Sequence, residues 1–336
     1  MRSIRRSLEL TNKRHIVLTG GKGTGKSTLF RQLLADWSET AAVTAVRQKD
    51  GVYWTGSDGN TVQVGVYDEA IPGRDRKMRP VEEGFRQAAK TLEEVTAIDE
   101  IGYLEPAWFL DLVEERMRHT ALLAVVRTGT PFLQRMKKRR DVLIVDLDGC
   151  GVGCVIMASG LGTRFGGNKL MANLGGKPVV QWAMDGAQAV FDQTVVVTRH
   201  EEVATLCRDR NVSCVLHSLP HRSDTVRLGV QELKEMKAIL FWPGDQPFVS
   251  EQTLYTLALC AANDDAIWRL GGKSPAVFPR WAFEELCRLP EGKGGNVLME
   301  KYPEQVKVSE PASSWEIRDI DTPEDLSCFC AGICCN

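Results

Sequence analysis

Apolar residues in this chain cluster into short, β-branched runs separated by stretches of helical spacing, and the alternation recurs along its whole length. An uninterrupted apolar run with no polar alternation suits a strand buried on both faces, and strands alternating with helices imply parallel sheets covered by helices on both sides. In the first half the pattern predicts strands at His15 to Thr19, Ala121 to Arg127 and Val142 to Val145, a helix over Ser27 to Asp36, and a hairpin over Gly51 to Asp68. In the second half it predicts strands at Gly153 to Met157, Thr194 to Thr198 and Ala238 to Trp242, with a helix after each. Between the halves, Asp146-Leu147-Asp148-Gly149-Cys150-Gly151-Val152-Gly153 sets three glycines beside acidic residues, a composition for a turn or short linker. The expectation is an α/β chain of two three-layer α/β/α domains, 1–148 and 149–336, since 336 residues exceed one ordinary core.

Composition narrows the classes of partner. With 43% hydrophobic and 26% charged residues the chain reads as a soluble globular protein. A formal net charge of -2 supplies no global field toward nucleic acid or an anionic membrane, so any anion must be held locally. Met1 to Arg14 has no apolar run long enough for a signal peptide or a span, and a cytoplasmic protein is expected. The ten cysteines are mostly scattered singly within apolar segments, which makes free thiols the default.

Two glycine-rich loops carry the chemistry. The first, Gly20-Gly21-Lys22-Gly23-Thr24-Gly25-Lys26-Ser27, follows the first strand and runs into a helix, satisfying G-x-x-x-x-G-K-S/T. Gly20, Gly23 and Gly25 let backbone N–H groups converge on phosphate oxygens at the positive end of the helix. Lys26 would reach the β- and γ-phosphates, Ser27 would ligate Mg2+, and Thr28 completes the nucleotide-binding stretch. Such a site needs a second acidic group at a strand end, and Asp99 (metal side) and Glu100 (orienting water) follow the apolar run from Val95. A surface turn for the loop and a helix cap or solvated loop for the acidic pair are the bland alternatives.

The second loop, Ala158-Ser159-Gly160-Leu161-Gly162-Thr163-Arg164-Phe165-Gly166-Gly167-Asn168-Lys169, is not of the first kind. Its small residues would admit a nucleobase and triphosphate to the backbone, and Arg164 and Lys169 would neutralise phosphate charge during transfer, with Asn168 a further polar candidate. The strand ending at Trp242 delivers Asp245, in Gly244-Asp245-Gln246-Pro247, to the carboxyl edge of a sheet, where doubly wound folds bind ligands. Asp319-Ile320-Asp321-Thr322-Pro323-Glu324-Asp325 adds a carboxylate cluster before a helix that Pro323 can begin. Asp245 is the leading Mg2+ ligand, Asp321 the second, and Asp319 the next; an acidic helix start is the bland alternative for the last cluster.

Two resemblances follow from these residues. Asp99-Glu100-Ile101-Gly102, with Glu105 after it, resembles the second motif of the small nucleoside-triphosphatase family first described from thermophiles, over roughly Arg14 to Val145. That likeness implies a P-loop fold and Mg2+-dependent hydrolysis of ATP, GTP or other NTPs. The second loop, the G-D-x-P turn and the closing D-I-D-T-P-E-D resemble the molybdenum cofactor nucleotidyltransferase family over about Gly153 to Leu326. Arg222 to Gly229 is similar to that family's S-x-S-I/V-R-x-G helix, which places Ser223 and Arg227 at the nucleotide, and Glu291 to Gly295 is similar to its G-D-K-G-x turn. The family implies a Rossmann-like fold and attack by a terminal phosphate of molybdopterin on the nucleotide α-phosphorus, releasing pyrophosphate. Ala158-Ser159-Gly160 and Gly244-Asp245-Gln246-Pro247 lean toward the cytidylyltransferases and CTP, with a molybdenum hydroxylase apoenzyme as the recipient. No general base is demanded of a phosphate nucleophile, so His217 and His221 are read as structural or substrate-contacting. Another phosphorylated acceptor, a sugar or alcohol phosphate, and a nucleotide-regulated accessory protein without turnover are the alternatives.

One motif stands apart. Cys328-Phe329-Cys330-Ala331-Gly332-Ile333-Cys334-Cys335 gathers four thiols in a tail that could hold a soft metal, dock on a target or carry sulfur, although its spacing is not that of structural zinc.

Overall fold

A computed structural model describes residues 2–36, 42–47, 51–56, 60–67, 78–81, 83–84, 87, 95–102 and 106–333. The chain divides into two compact units, Ser3–Asp148 and Gly149–Asn336.

The first unit is built on an eight-stranded sheet. Helix α1 (Arg2–Leu10) precedes β1 (His15–Thr19), whose five residues are all buried, and α2 (Lys26–Asp36) follows the first glycine loop. The sheet then takes β2 (Ala42–Arg47), β3 (Gly51–Thr55), β4 (Thr61–Tyr67), β5 (Met78–Pro80), β6 (Val95–Ile101), β7 (Ala121–Val126) and β8 (Val142–Asp146), in spatial order β5-β4-β3-β2-β6-β7-β1-β8. From β2 to β8 the neighbours are parallel, as expected, whereas β2, β3, β4 and β5 pair antiparallel, so the sheet departs from an all-parallel arrangement on the side that carries the expected hairpin. The physical reason is connection length, because the three residues between β2 and β3 and the five between β3 and β4 are too few for a crossover helix. Helices α3 (Ala107–Met117) and α4 (Pro131–Lys137) complete the unit, and α3 buries Phe109, Leu112 and Val113 in a core with Trp54, Ile98, Leu122 and Phe132. The hairpin expected over 51–68 corresponds to β3 and β4; residue 68 lies outside the described residues.

The second unit contains β9 (Val152–Ala158), the short pair β10 (Asn173–Leu174) and β11 (Lys177–Pro178), then α5 (Val179–Val190), β12 (Gln193–Thr198), α6 (Glu201–Asp209), β13 (Ser213–Leu216) and α7 (Arg222–Glu232). It continues through β14 (Ala238–Pro243), α8 (Glu251–Asn263), β15 (Ile267–Leu270), β16 (Ala276–Pro279), α9 (Phe283–Cys287), α10 (Asn296–Lys301), β17 (Val306–Ser309) and α11 (Pro323–Ile333). The seven-stranded sheet runs β13-β12-β9-β14-β16-β15-β17. Its first four strands are parallel, and β16 is antiparallel to both β14 and β15, a second departure from an all-parallel sheet.

Strand order positions the site. The chain leaves β9 toward β12 on one side and returns to β14 on the other, so β9 marks the point where the winding reverses and a crevice opens at the carboxyl ends. Register makes those ends coincide, since Ala158 lies opposite Thr198, and Met157 opposite Pro243. The sheet is held close to α7 by Gly229, where a Cβ would come within 2.7 Å of Val155. Among the described residues no helix is long and apolar enough to cross a membrane.

Candidate functional site

Three strand ends converge at the carboxyl edge of the second sheet: Ser159 follows β9, Arg199 follows β12, and Asp245 follows β14 by two residues. With Gly162, Lys169, Arg222, Lys273, Asn296 and Asp319 they line a cavity of about 660 Å³ whose inner wall is apolar, formed by Met157, Phe241, Phe278 and Met299. The glycine loop turns inside it because Gly162 adopts φ +60°, and a Cβ there would lie 2.4 Å from the Gly167 carbonyl oxygen.

At the centre lies Lys169, 8% exposed, with its ammonium 2.5 Å from Asp245 Oδ2 and 2.8 Å from Asp321 Oδ1. The other oxygen of Asp321 meets Arg164 at 2.8 Å. Asp319 accepts a 2.6 Å hydrogen bond from Gln246 Nε2, which also donates to Ser274 Oγ, and the Ile320 N–H donates to the Asp245 carbonyl at 2.9 Å. Residues 73 and 75 apart in sequence are thus tied side by side, with Asp325 holding the turn by accepting from the Asp321 and Thr322 N–H groups. Burial opposes the charge on Lys169, but Asp245 and Asp321 hold it above the ordinary lysine value. Burial and the neighbouring Asp245 push Asp319 above the usual carboxylate range. Three carboxylates against two cations leave this corner with negative charge in excess, and hard oxygen donors of that kind suit a divalent cation such as Mg2+, which is commonly held by one or two carboxylates plus substrate phosphates.

The sequence-predicted residues fall into two groups. Ser159, Gly160, Gly162, Lys169 and Asp245 line the cavity, and Arg164 and Asp321 join it through the ion pairs. Ala158 does not: it is fully buried, its carbonyl accepting from Thr198 Oγ1 at 2.8 Å. Ser223 and Arg227 lie off the lining: the turn of α7 presents Arg222, Thr225 and Val226 to the cavity, while Ser223 is buried and Arg227 pairs with Asp224 at 2.8 Å. Asn168 is turned to Glu202 at 3.0 Å. His217 bonds to Ser159, and His221 caps α7 at the cavity wall. The sequence reading passed over Arg199, Arg222, Lys273, Ser274 and Asn296. Arg199 could have been found from the rule that singled out Asp245, since it directly follows a predicted strand; Lys273 and Ser274 sit in a loop that resembles no motif.

In the first unit the glycine loop bends through positive φ at Gly20 (136°), Gly23 (85°) and Gly25 (84°), and α2 begins at Lys26. The Lys26 ammonium folds over the loop, donating to Gly20 O at 2.8 Å, to Gly21 O and to Thr24 Oγ1 at 3.3 Å. Ser27 is half-buried and Thr28 exposed at the start of the helix. Asp99 and Glu100 sit near the carboxyl end of β6 within an irregularity, where Ile98 pairs with Ala124 and Ile101 with Val126. This bulge turns Glu100 outward onto Arg127 at 2.5 Å, whereas Asp99 Oδ1 is buried with no hydrogen-bond partner among the described residues. A buried carboxylate oxygen at a strand end fits a site that receives a cation or a donor. Residues 103–105, including the acidic end of the second motif, lie outside the described residues. Cys328 on α11 is exposed and free; Cys334 and Cys335 are outside the described residues.

Comparison with known proteins bears on the second unit. Residues 154–306 match the MobA-like NTP transferase domain. A 3-deoxy-manno-octulosonate cytidylyltransferase of Bdellovibrio bacteriovorus is 29% identical over 30% of this chain and 42% of its own length. The bifunctional protein GlmU of Gluconacetobacter diazotrophicus is 31% identical over 38% of this chain and 28% of its own. The chain thus spans less than half the length of these curated relatives. A nucleotidyl transferase from Methanothermobacter thermautotroptrophicus superposes with a TM-score of 0.48 at 22% identity, covering 55% of this chain and 99% of that one. Residues 154–306, within the second unit, therefore match a MobA-like NTP transferase domain, and the similarity of this unit is to nucleotidyltransferases.

Proposed function

We propose that the second unit transfers a nucleoside monophosphate, CMP from CTP by preference, to the terminal phosphate of molybdopterin and releases pyrophosphate. The observation that carries this reading is Lys169, buried between Asp245 and Asp321 in the lining of a cavity that the glycine loop also lines. An acceptor phosphate oxygen forms the new bond to the α-phosphorus, the bond from that phosphorus to the bridging oxygen of the β-phosphate breaks, and pyrophosphate leaves with the electron pair. Lys169 and Arg164 hold the triphosphate and offset the charge that gathers on the leaving group. Asp245 and Asp321 would hold Mg2+, which supplies Lewis-acid polarisation of the phosphates. The apolar inner wall suits the planar body of a pterin, and the product would pass to a molybdenum hydroxylase apoenzyme. The preference for CTP draws support from the Gly244-Asp245-Gln246-Pro247 turn and from relatives that are themselves named cytidylyltransferases.

In this reading the first unit binds a second NTP, with Lys26 and Ser27 at the phosphates, Asp99 on the metal side and Glu100 near the attacking water. Support comes from the three positive-φ glycines and the buried Asp99 oxygen. A second reading keeps the nucleotide chemistry and changes the acceptor to 3-deoxy-manno-octulosonate, favoured by the relatives that bear that name. Pyrophosphate release with Mg2+ and each NTP, in turn with molybdopterin, with 3-deoxy-manno-octulosonate and with neither, tests both. Molybdopterin-dependent release from CTP, abolished in Asp245→Ala and retained in Lys26→Ala, is the expected result. Release dependent on the sugar acid selects the second reading, and no release with any acceptor removes both.

A further inference from the structure

Two cysteines meet at a corner of the second unit. Cys207 lies in the last turn of α6 and is 0% exposed, whereas Cys214, the second residue of β13, is half-buried and keeps partial access to solvent. The chain between them turns back tightly. The Arg210 N–H donates to the Leu206 carbonyl at 3.1 Å, Asn211 takes φ 54°, and the Val212 N–H donates to the carbonyl of Cys207 itself at 2.9 Å. Strand β13 is then fixed by its parallel pairing with β12, Cys214 lying opposite Val196. Helix end and strand start are thereby held side by side, and the Cys207 S–H donates to the sulfur of Cys214.

This contact gives the two thiols unequal chemistry. The hydrogen bond from Cys207 favours the Cys214 thiolate and, with the Arg208 guanidinium, holds Cys214 below the ordinary thiol value against burial and the nearby Glu201. Donation to Cys214 and burial push Cys207 the other way. A partly exposed sulfur with thiolate character is the group that attacks a disulfide, and a buried thiol in contact with it is placed to resolve the product. Neither cysteine lines the cavity, and among the described residues no cluster of three His, Cys, Asp or Glu side chains forms that could hold a metal ion. The pair therefore reads as a dithiol rather than as part of the nucleotide site or of a metal centre.

We propose that Cys207 and Cys214 are a redox modification site, which a low-molecular-weight disulfide such as glutathione disulfide converts into an intrachain disulfide. The inference is independent of the nucleotidyl-transfer reading. The Cys214 thiolate attacks one sulfur of glutathione disulfide, the S–S bond of that molecule breaks, and the first glutathione leaves as a thiolate that takes up the proton Cys214 has lost. Cys207 then gives its proton to solvent and attacks the Cys214 sulfur. The mixed disulfide breaks, and the second glutathione leaves with the electron pair and is protonated. Two protein thiols are oxidised and one glutathione disulfide is reduced to two thiols. Contact between the sulfurs makes the second step intramolecular, which favours it over attack by a second thiol from solution.

The test treats folded, full-length protein with glutathione disulfide, quenches with acid, alkylates the remaining thiols and digests with trypsin without reductant. Arg208 and Arg210 lie between the two cysteines, so trypsin severs the chain there and leaves His200–Arg208 and Asn211–Arg222 with one cysteine each. The expected result in mass spectrometry is that these peptides travel as one disulfide-linked species, which dithiothreitol separates. In Cys207→Ser the peptide Asn211–Arg222 should carry one glutathione, and in Cys214→Ser the cysteine of His200–Arg208 should remain a free thiol because it is buried; thermal melting verifies that each variant is folded. The wild-type readout needs no substitution, so a variant that fails to fold leaves the test intact. Wild-type peptides that stay unlinked, Cys214 joined instead to the closing peptide Asp319–Asn336, or glutathione on Cys207 in folded Cys214→Ser protein would each overturn the proposal.

Discussion

Replacing Lys169 with alanine should separate binding from turnover in opposite directions. The ammonium lies 2.5 Å from Asp245 and 2.8 Å from Asp321, so its loss leaves two carboxylates facing each other with Arg164 as the remaining cation in the group. A unit pair at such distances is worth about 6 kcal/mol at an effective dielectric constant of ~20. Asp245 and Asp321 keep 21% and 29% of their side-chain exposure, so water recovers part of that, and a net destabilisation of about 1–2 kcal/mol is expected. Turnover should suffer more, by about 100- to 1000-fold, because a preorganised cation facing the developing charge is removed. Affinity for a divalent ion without nucleotide should rise by roughly tenfold, about 1.4 kcal/mol, since the ammonium no longer competes for the same carboxylate oxygens. Pyrophosphate release measures the first effect, and titration of Mn2+ followed by electron paramagnetic resonance measures the second. Lys169→Ala protein that keeps more than a tenth of its turnover, or that binds Mn2+ more weakly, would refute the placement of the cation between these two aspartates.

Other outcomes follow from groups outside that cluster. His15 is 1% exposed and accepts from the Leu122 N–H through Nδ1; burial lowers it from 6.5 to about 4 despite Asp141 nearby. Its neutral form is favoured in the fold, so stability is complete above pH 6.5 and lost as pH falls toward 4; the first unit should lose about 2 kcal/mol between pH 7.5 and pH 5 in urea unfolding, a slope that His15→Asn should flatten. Glu316, 2% exposed, accepts from the N–H groups of Ser250 and Ala312 and from the hydroxyls of Ser250 and Thr253, so Glu316→Ala strands four donors and should cost about 2–4 kcal/mol by chemical denaturation. The same change loosens the segment leading to Asp319 and should lower turnover; unchanged stability would contradict this account. Gly229→Ala forces a methyl to within 2.7 Å of Val155 and should lower the thermal midpoint of the second unit, by about 1–3 kcal/mol in stability, with no direct effect on the cavity residues.

How far the sequence could be read depended on whether a residue's role is set locally. Strands β1, β9, β12 and β14 were legible within a residue or two because an apolar run buried on both faces leaves no ambiguity of period. In the first sheet the local β3–β4 hairpin was legible too, but the antiparallel strands of the second were not, because strand direction there depends on pairing partners distant in sequence, and β16 pairs with β14 only after α8 and β15 have intervened. The face of α7 escaped for a related reason: a motif names Ser223 and Arg227, while 100° per residue sends Arg222, Thr225 and Val226 to the cavity.

The site itself shows the same division. Strand-end logic located Asp245 and would have located Arg199, since both depend only on where β14 and β12 stop. Burial of Lys169 was invisible, because nothing near it in sequence supplies its partners; Asp245 and Asp321 come from 76 and 152 residues further along. A lysine in a glycine-rich loop reads as a surface cation waiting for phosphate. Here the fold has already given that cation two carboxylates, so phosphate and divalent metal must arrive in a way that redistributes one shared set of charges. Binding of nucleotide and metal at this site should therefore be mutually dependent: phosphate draws Lys169 away from Asp245 and Asp321, and the vacated oxygens become available to the metal. Measured dissociation constants for Mn2+ with and without CTP should differ by the same factor as those for CTP with and without Mn2+, and in Lys169→Ala that factor should shrink.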